Sequence, residues 1–330
     1  MNKKAVLITA RGRDTLTADQ AARLEKAGEI TYYSALEPLM ADELIERLRD
    51  ADVAGLTPRS VPSIDGSWVN RLPRLKGIAV FATGVDYIDM RLLEERGITL
   101  CHLPDYSTYS VAEHTIGLLL TMSRRMHLSS DRVRGRVPAG TSVQGWELRG
   151  RTIGLVGLGR IGSYVAGLCQ AFGMRVIGYD PYLEGNPPAG VRLVSLDELL
   201  VSSDIVSLHY PSDWHGGQRF GRDELHRMKP GAVLVNVSRS ALVDDAAVID
   251  AIERRQLRGY AVDDRFSLAE RGERLIAEGR IVQTGHTAWY SEEVIERGYH
   301  TWVDNIISLL DGQPHHVASF STYGSEIRRM

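Results

Sequence analysis

Short apolar, β-branched runs punctuate the chain, with helical patterns between them. In the first third they are Ala5–Ala10, Ile30–Ser34, Val53–Thr57, Gly77–Thr83 and Thr99–Leu103, separated by amphipathic stretches such as Asp42–Leu48. Strand–helix alternation of this kind predicts a parallel sheet covered on both faces. A second series follows at Thr152–Leu158, Arg175–Asp180, Ile205–Tyr210, Ala232–Ser238, Gly259–Asp264 and Ile281–His286. Five strands and then six predict an α/β protein of two doubly wound parallel-sheet domains.

A helix is expected between the two series, from Ser110 to Met126. Val111, Ala112, Ile116, Leu118, Leu119, Leu120 and Met122 make it apolar nearly all round, which predicts burial. The next stretch, Ser129 to Trp146, is polar and contains Gly and Pro, and it reads as an extended surface arm. A last helix opens at Ser291 as cap, with Glu292 and Glu293 at its positive end, and stops at Gly312. Its apolar positions Ile295, Trp302, Val303, Ile306 and Leu310 share one face.

Composition narrows the function classes. The 330 residues are 43% hydrophobic and 25% charged, ordinary for a globular protein. Thirty-nine basic against forty-two acidic side chains leave a net charge of -3, so nothing favours nucleic acid or an anionic membrane. Cys101 and Cys169 cannot build a disulfide framework or a four-thiolate zinc site, and a cytoplasmic location is expected. No apolar run approaches the roughly 18 residues of a membrane span. The stretch after Met1–Lys4 is too short for a secretory core.

The strongest local signal is an apolar strand running into Gly157-x-Gly159-x-x-Gly162, followed at once by a helix. Ile161, Val165, Leu168, Cys169 and Phe172 give that helix its buried stripe, and Gly173 ends it. Gly157 permits the tight turn, Gly159 the approach of a pyrophosphate, and Gly162 close packing of helix on strand. The helix start offers free N–H groups to the phosphates. Twenty-three positions beyond Gly157, the next strand ends in Asp180, placed to accept from an adenosine ribose. That acid would repel a 2′-phosphate, so NAD is favoured over NADP.

Hydride transfer at a carbinol also needs a proton donor or acceptor and a group to hold the substrate. In an open parallel sheet these belong at the carboxyl ends of strands. Arg239 and His286 stand there. His114 falls within the buried helix and reads as a hydrogen-bonded structural group. His209, followed by Tyr210-Pro211, reads as a cofactor contact. Asp86, Asp89, Asp263 and Asp264 lack a metal-ligand spacing, so no metal site is expected.

Several segments together resemble the D-isomer-specific 2-hydroxyacid dehydrogenases over nearly the whole chain. They are Leu72–Ile78, Ala82–Asp89, Val111–Leu119, Leu148–Gly162, Met228–Arg239 and Thr284–Ser291. The resemblance implies a Rossmann NAD-binding domain, 103–288, inserted into a flavodoxin-like substrate domain formed by 1–102 and 289–330. It also implies a homodimer supported by the helix after Ser110 and its arm. The substrate would be a small 2-hydroxy or 2-oxo acid or a close analogue. Arg239 would hold its carboxylate, and His286 would act as general acid/base. Thr83 and Gly84 would receive the same carboxylate through their backbone. Arg160 and Ile161 would meet the pyrophosphate, Asp263 the nicotinamide amide, and Tyr210, Val237 and Ser238 would line the cofactor.

Four positions depart from the family pattern. Leu268 stands where a Glu pairs the catalytic histidine, with Ala269 in place of the following Pro. Gly285 replaces a Pro before the histidine, and Ser240 a Gly after the arginine. Spacing assigns neither Glu270 nor Asp264 to the vacant role. The run His286-Thr-Ala-Trp289-Tyr-Ser291 also resembles the C-terminal binding protein corepressors, built on the same fold. The alternative reading is therefore a non-catalytic NAD-sensing binding protein. Thr57–Ser60 and Ser212–Gly217 are further candidates to reach the substrate.

Overall fold

The structure is a computed structural model that describes residues 3–211, 219–266 and 270–320. The chain forms two compact units, one holding the residues up to Tyr106 and those from Ser291 onward, the other Ser107–Tyr290.

The first unit opens with β1 (Lys4–Thr9), α1 (Ala18–Ala27), β2 (Glu29–Ser34), α2 (Ala41–Leu48) and β3 (Val53–Leu56). α3 (Gly66–Val69), β4 (Gly77–Val80), α4 (Met90–Glu95) and β5 (Thr99–Cys101) follow. Thr17 and Gln20 form a capping box that starts α1, and Asp89 caps α4 by accepting from Leu92 N at 3.0 Å. The five strands are parallel in the doubly wound order β2-β1-β3-β4-β5. Val53–Leu56 and Gly77–Val80 are wholly buried, the mark of strands covered on both faces.

The second unit begins with α5 (Thr108–Arg124) and α6 (Met126–Val133), divided by Arg125 in the left-handed region at φ 52°. The stretch expected to be an extended arm therefore starts as helix; no helix or strand follows it until β6 (Thr152–Val156). α5 buries one face, including Val111, Ala112, Ile116, Leu119 and Met122, while Glu113 and Gly117 remain exposed. Next come α7 (Arg160–Ala171), β7 (Arg175–Tyr179), β8 (Arg192–Leu193), α8 (Leu196–Ser202) and β9 (Ile205–Leu208). Then come α9 (Arg222–Arg227), β10 (Ala232–Asn236), α10 (Asp245–Glu253), β11 (Leu257–Val262), α11 (Glu270–Ala277) and β12 (Ile281–Gln283). All seven strands are parallel in the order β12-β11-β10-β9-β6-β7-β8. The order reverses between β6 and β9, the switch point where such sheets bind ligands. The α7 stripe is Gly162, Val165, Ala166 and Cys169; Phe172, expected within it, is 41% exposed because the helix has ended there.

The chain then returns to complete the first unit with α12 (Glu292–Asp311) and β13 (Val317–Ala318), the latter antiparallel to β5. Ser291 Oγ accepts from Val294 N, and Gly312 at φ 76° ends the helix, both as expected. Trp302, Val303, Ile306 and Leu310 are buried, and Val294 takes the place expected of Ile295. Each such apolar side chain contributes about 1.5–3 kcal/mol by leaving water. The polar groups on that face are satisfied: Trp302 Nε1 donates to Ala79 O at 2.9 Å and Asn305 Nδ2 to His102 O at 2.8 Å. Among the described residues no helix is long and apolar enough to cross a membrane.

Candidate active site

The glycine turn joins β6 to α7. Gly157 lies at φ 94°, and a Cβ there would meet His209 O at 2.5 Å. A Cβ on Gly162 would meet Gly157 O at 2.2 Å. Glycine is thus required twice, to bend the chain and to seat the helix against the turn. Gly159 is the N-cap residue of α7 and makes no side-chain cap, and the start of a helix is the end that favours an anion. Arg160 and Ile161 form its first turn. Asp180 follows β7; its Oδ2 accepts from Leu158 N and its Oδ1 from Tyr182 N, both at 2.9 Å. The acid is therefore fixed against the glycine turn. A cradle that a side chain would fill, a helix start without a side-chain cap and an adjacent carboxylate fit an adenine dinucleotide.

His209 backs the same turn. Its Nε2 shares a hydrogen bond with Ser207 Oγ at 2.9 Å, while its Nδ1 is out of solvent and unpartnered. Burial pushes its pKa down to about 3, so the imidazole is neutral at ordinary pH. Tyr210, expected beside the cofactor, is 5% exposed and packs in the core with Leu208 and Leu242. Val237 is also buried; Ser238 Oγ donates to Leu208 O at 3.0 Å and ties β10 to β9.

Arg239, Asp263–Asp264 and His286 follow the carboxyl ends of the adjacent strands β10, β11 and β12. Asn236 Nδ2 donates to Arg239 O at 2.7 Å and fastens the first of these turns, while Arg239 Nη1 donates to Ser238 O. His286 is exposed at φ 63°, directly after Gly285 at φ 68°. Two successive left-handed residues make a sharp reversal that a Pro in place of Gly285 could not enter, its φ being fixed near −65°.

That reversal is held by Asp263, 4% exposed. Its Oδ1 accepts from Thr284 Oγ1 and Thr287 N and its Oδ2 from Ala288 N, each at 2.7 Å. The bonds grip the loop on both sides of His286. His114 Nε2 donates to Thr284 Oγ1 at 2.9 Å and so joins α5 to the same network. Burial lowers the His114 pKa against the pull of Asp263, in keeping with its expected structural role. The Asp263 anchor was not apparent from the sequence, where the residue read as a cofactor contact.

Asp264 ties the arginine turn to the end of β11 and lies near His286. Its Oδ2 accepts from Ser240 N at 3.1 Å and its Oδ1 from Arg265 N at 2.7 Å. Burial pulls its carboxyl upward, but the Ser240 and Arg265 amides, the Ser240 hydroxyl and the nearby His286 outweigh that and hold it below the usual carboxylate range. Glu270, the other candidate, opens α11 and makes no hydrogen bond or ion pair among the described residues. Leu268 and Ala269 lie outside the described residues, as does Ser212–Gly217. Among the described residues no three His, Cys, Asp or Glu side chains gather as a metal site.

Thr83 and Gly84 lie in the first unit beyond β4, where Thr83 Oγ1 donates to Leu103 O at 2.7 Å and His102 Nδ1 donates to Thr83 O at 3.0 Å. Thr57–Ser60 turns beyond β3, with Thr57 Oγ1 donating to Ser60 Oγ and the exposed Arg59 bonded to Leu36 O.

Residues 116–288, just over half the chain, match the model of the NAD binding domain of D-isomer specific 2-hydroxyacid dehydrogenases. The chain belongs to that family. It is 32% identical over 303 residues to the D-3-phosphoglycerate dehydrogenase of Methanocaldococcus jannaschii, covering 91% of this chain and 57% of that protein. The chain spans about half the length of the curated phosphoglycerate dehydrogenases it matches. Among solved structures, it is similar to an acyclic imino acid reductase in complex with NADPH and D-Arg, at 29% identity and TM-score 0.82, covering 96% of this chain and 99% of that one. The D-lactate dehydrogenase of Aquifex aeolicus, complexed with NAD and lactic acid, matches at 27% identity and TM-score 0.76, over 93% and 96%. The family membership accords with both sheet orders.

Proposed function

We propose that this family member is an NAD-dependent dehydrogenase that transfers hydride between NAD(H) and a small 2-hydroxy or 2-oxo acid. The observation that carries this reading is one sheet edge bearing the glycine turn with Asp180 at its switch point, and Arg239 and His286 two strands apart beside it. Asp180, fixed at the turn, selects NAD by accepting from the ribose and repelling a 2′-phosphate. Gly157, Gly159 and Gly162 admit the pyrophosphate, with Arg160 and Ile161 beside it; Tyr210, Val237, Ser238 and Asp263 border the cofactor. The nicotinamide, when bound, supplies or takes the hydride.

Arg239 holds the substrate carboxylate with its planar fork and polarises the neighbouring carbonyl. His286 gives a proton to the carbonyl oxygen on reduction and removes it from the hydroxyl on oxidation. Thr83 and Gly84 offer backbone N–H groups to the same carboxylate. Asp264 takes the positioning role of the family's absent Glu, since its carboxylate lies near His286 and accepts from Ser240 N in the arginine turn. The substrate domain is 1–102 with 289–330, and the cofactor domain is 103–288. The protein works as a cytoplasmic homodimer.

The test is steady-state turnover of a panel of 2-oxo acids with NADH. A competent substrate is expected, and His286→Ala should lower its kcat/KM by about 10²–10⁴-fold. Arg239→Ala should chiefly raise KM for the acid. Uptake of NADH with no turnover of any acid supports the NAD-sensing reading instead.

A further inference from the structure

At the opposite edge of the second sheet, where β10, β11 and β12 begin, four arginines border one open cavity of about 800 Å³. Arg125 occupies the left-handed junction of α5 and α6, and Arg255, also left-handed at φ 62°, follows α10. Arg258 projects from β11, and Arg280 directly precedes β12. Part of their donor capacity serves the fold. Arg125 Nη2 donates to Glu278 O at 2.7 Å, and Arg280 Nη2 donates to Leu257 O at 3.3 Å and to Ile252 O. Arg258 lies over the Trp146 ring at 5.5 Å.

The remaining capacity is unspent. Among the described residues none of the four guanidiniums has an ion-pair partner, and Arg125 Nε is out of solvent with no hydrogen bond. Glu278, on the cavity wall, has its Oε1 3.7 Å from Arg274; it and Glu253 attract Arg280 without pairing with it, and burial still lowers the Arg280 pKa. Burial first, and then repulsion from Arg258 and Arg280, lowers the Arg125 pKa, so these cations sit within one another's field. Such a cluster is unfavourable without a counter-charge. Arginine forks match tetrahedral oxyanions, and Thr141 and Ser142, on the same wall, add hydroxyl donors.

We propose that this cavity binds a doubly charged phosphoryl group, supplied by inorganic phosphate or by a small phosphate monoester. It is distinct from the glycine turn, which lies across the sheet, roughly 20 Å away by the length of a six-residue strand.

The experiment titrates phosphate and glycerol phosphate into the full chain saturated with NADH, which occupies the glycine turn, with sodium chloride at matched ionic strength as control. Binding is followed calorimetrically and by thermal shift. Saturable binding of either anion is expected, weakened about tenfold or more by the double variant Arg255→Gln/Arg258→Gln while NADH affinity stays unchanged. Tighter binding of the monoester identifies a metabolite as the source; equal binding identifies the free ion. Arg125→Gln should abolish binding in a chain shown to be folded by its NADH affinity. The proposal is overturned if neither anion binds beyond the chloride control, or if the double variant binds as tightly as the unaltered chain.

Discussion

Asp264 faces two turns at once, accepting from the amide after Arg239 and presenting negative charge to His286. If it positions the imidazole, Asp264→Asn should lower kcat for the acid about tenfold with NADH affinity unchanged. Glu270→Gln should leave kcat in place. A carboxylate of purely structural value would lose kcat and NADH affinity together, so the comparison of the two decides the matter. The sequence placed Arg239 and His286 at strand ends because apolar runs are easy to bound. It left Asp264 and Glu270 equivalent, because a count along the chain does not say which carboxylate the next strand turns toward the histidine. The anchoring role of Asp263 was hidden for the same reason: its partners Thr284, Thr287 and Ala288 are more than twenty positions away.

At the scale of elements, the turn between β6 and α7 tolerates almost no added volume. Gly162→Ala places a methyl 2.2 Å from Gly157 O, so the helix start must shift away from the turn. Overpacking of this kind costs about 1–3 kcal/mol, and the displaced N–H groups should weaken NADH binding by about tenfold or more. Urea unfolding and a fluorescence titration of NADH read the two effects; an alanine variant with unaltered affinity would contradict the assignment of this turn. The main strands and the caps of α12 were legible because burial on both faces leaves continuous apolar runs, and Ser291 and Gly312 mark helix ends by local chemistry. β8 and β13, two residues each, carry no periodicity and exist through pairing with β7 and β5. α6 was hidden by the polar run after Arg125, since buried Leu128 is its one fully inward position.

For the whole molecule, three histidines with depressed pKa values give stability a definite acid dependence. Burial depresses His209, to about 3, and also His114 and, with Arg125 beside it, His127. In the unfolded chain each would take a proton near the ordinary pKa of about 6.5. The unfolded state therefore binds more protons below that value, so stability is complete above about pH 6.5 and declines as pH falls toward 3. Each group adds a slope of up to about 1.4 kcal/mol per pH unit. Urea midpoints measured between pH 7 and 4.5 should fall, and His209→Gln should flatten the curve; an identical slope in the variant would show that the imidazole is not the group responsible.

The return of the chain through α12 has a consequence for biosynthesis. Trp302, Val303 and Ile306 cover the first sheet, yet they emerge from the ribosome after every strand of the second. The inserted body can thus reach its native fold on the nascent polypeptide while the earlier-made sheet still waits, uncapped, for its covering helix. In the cell, that interval is when this chain most needs protection from aggregation.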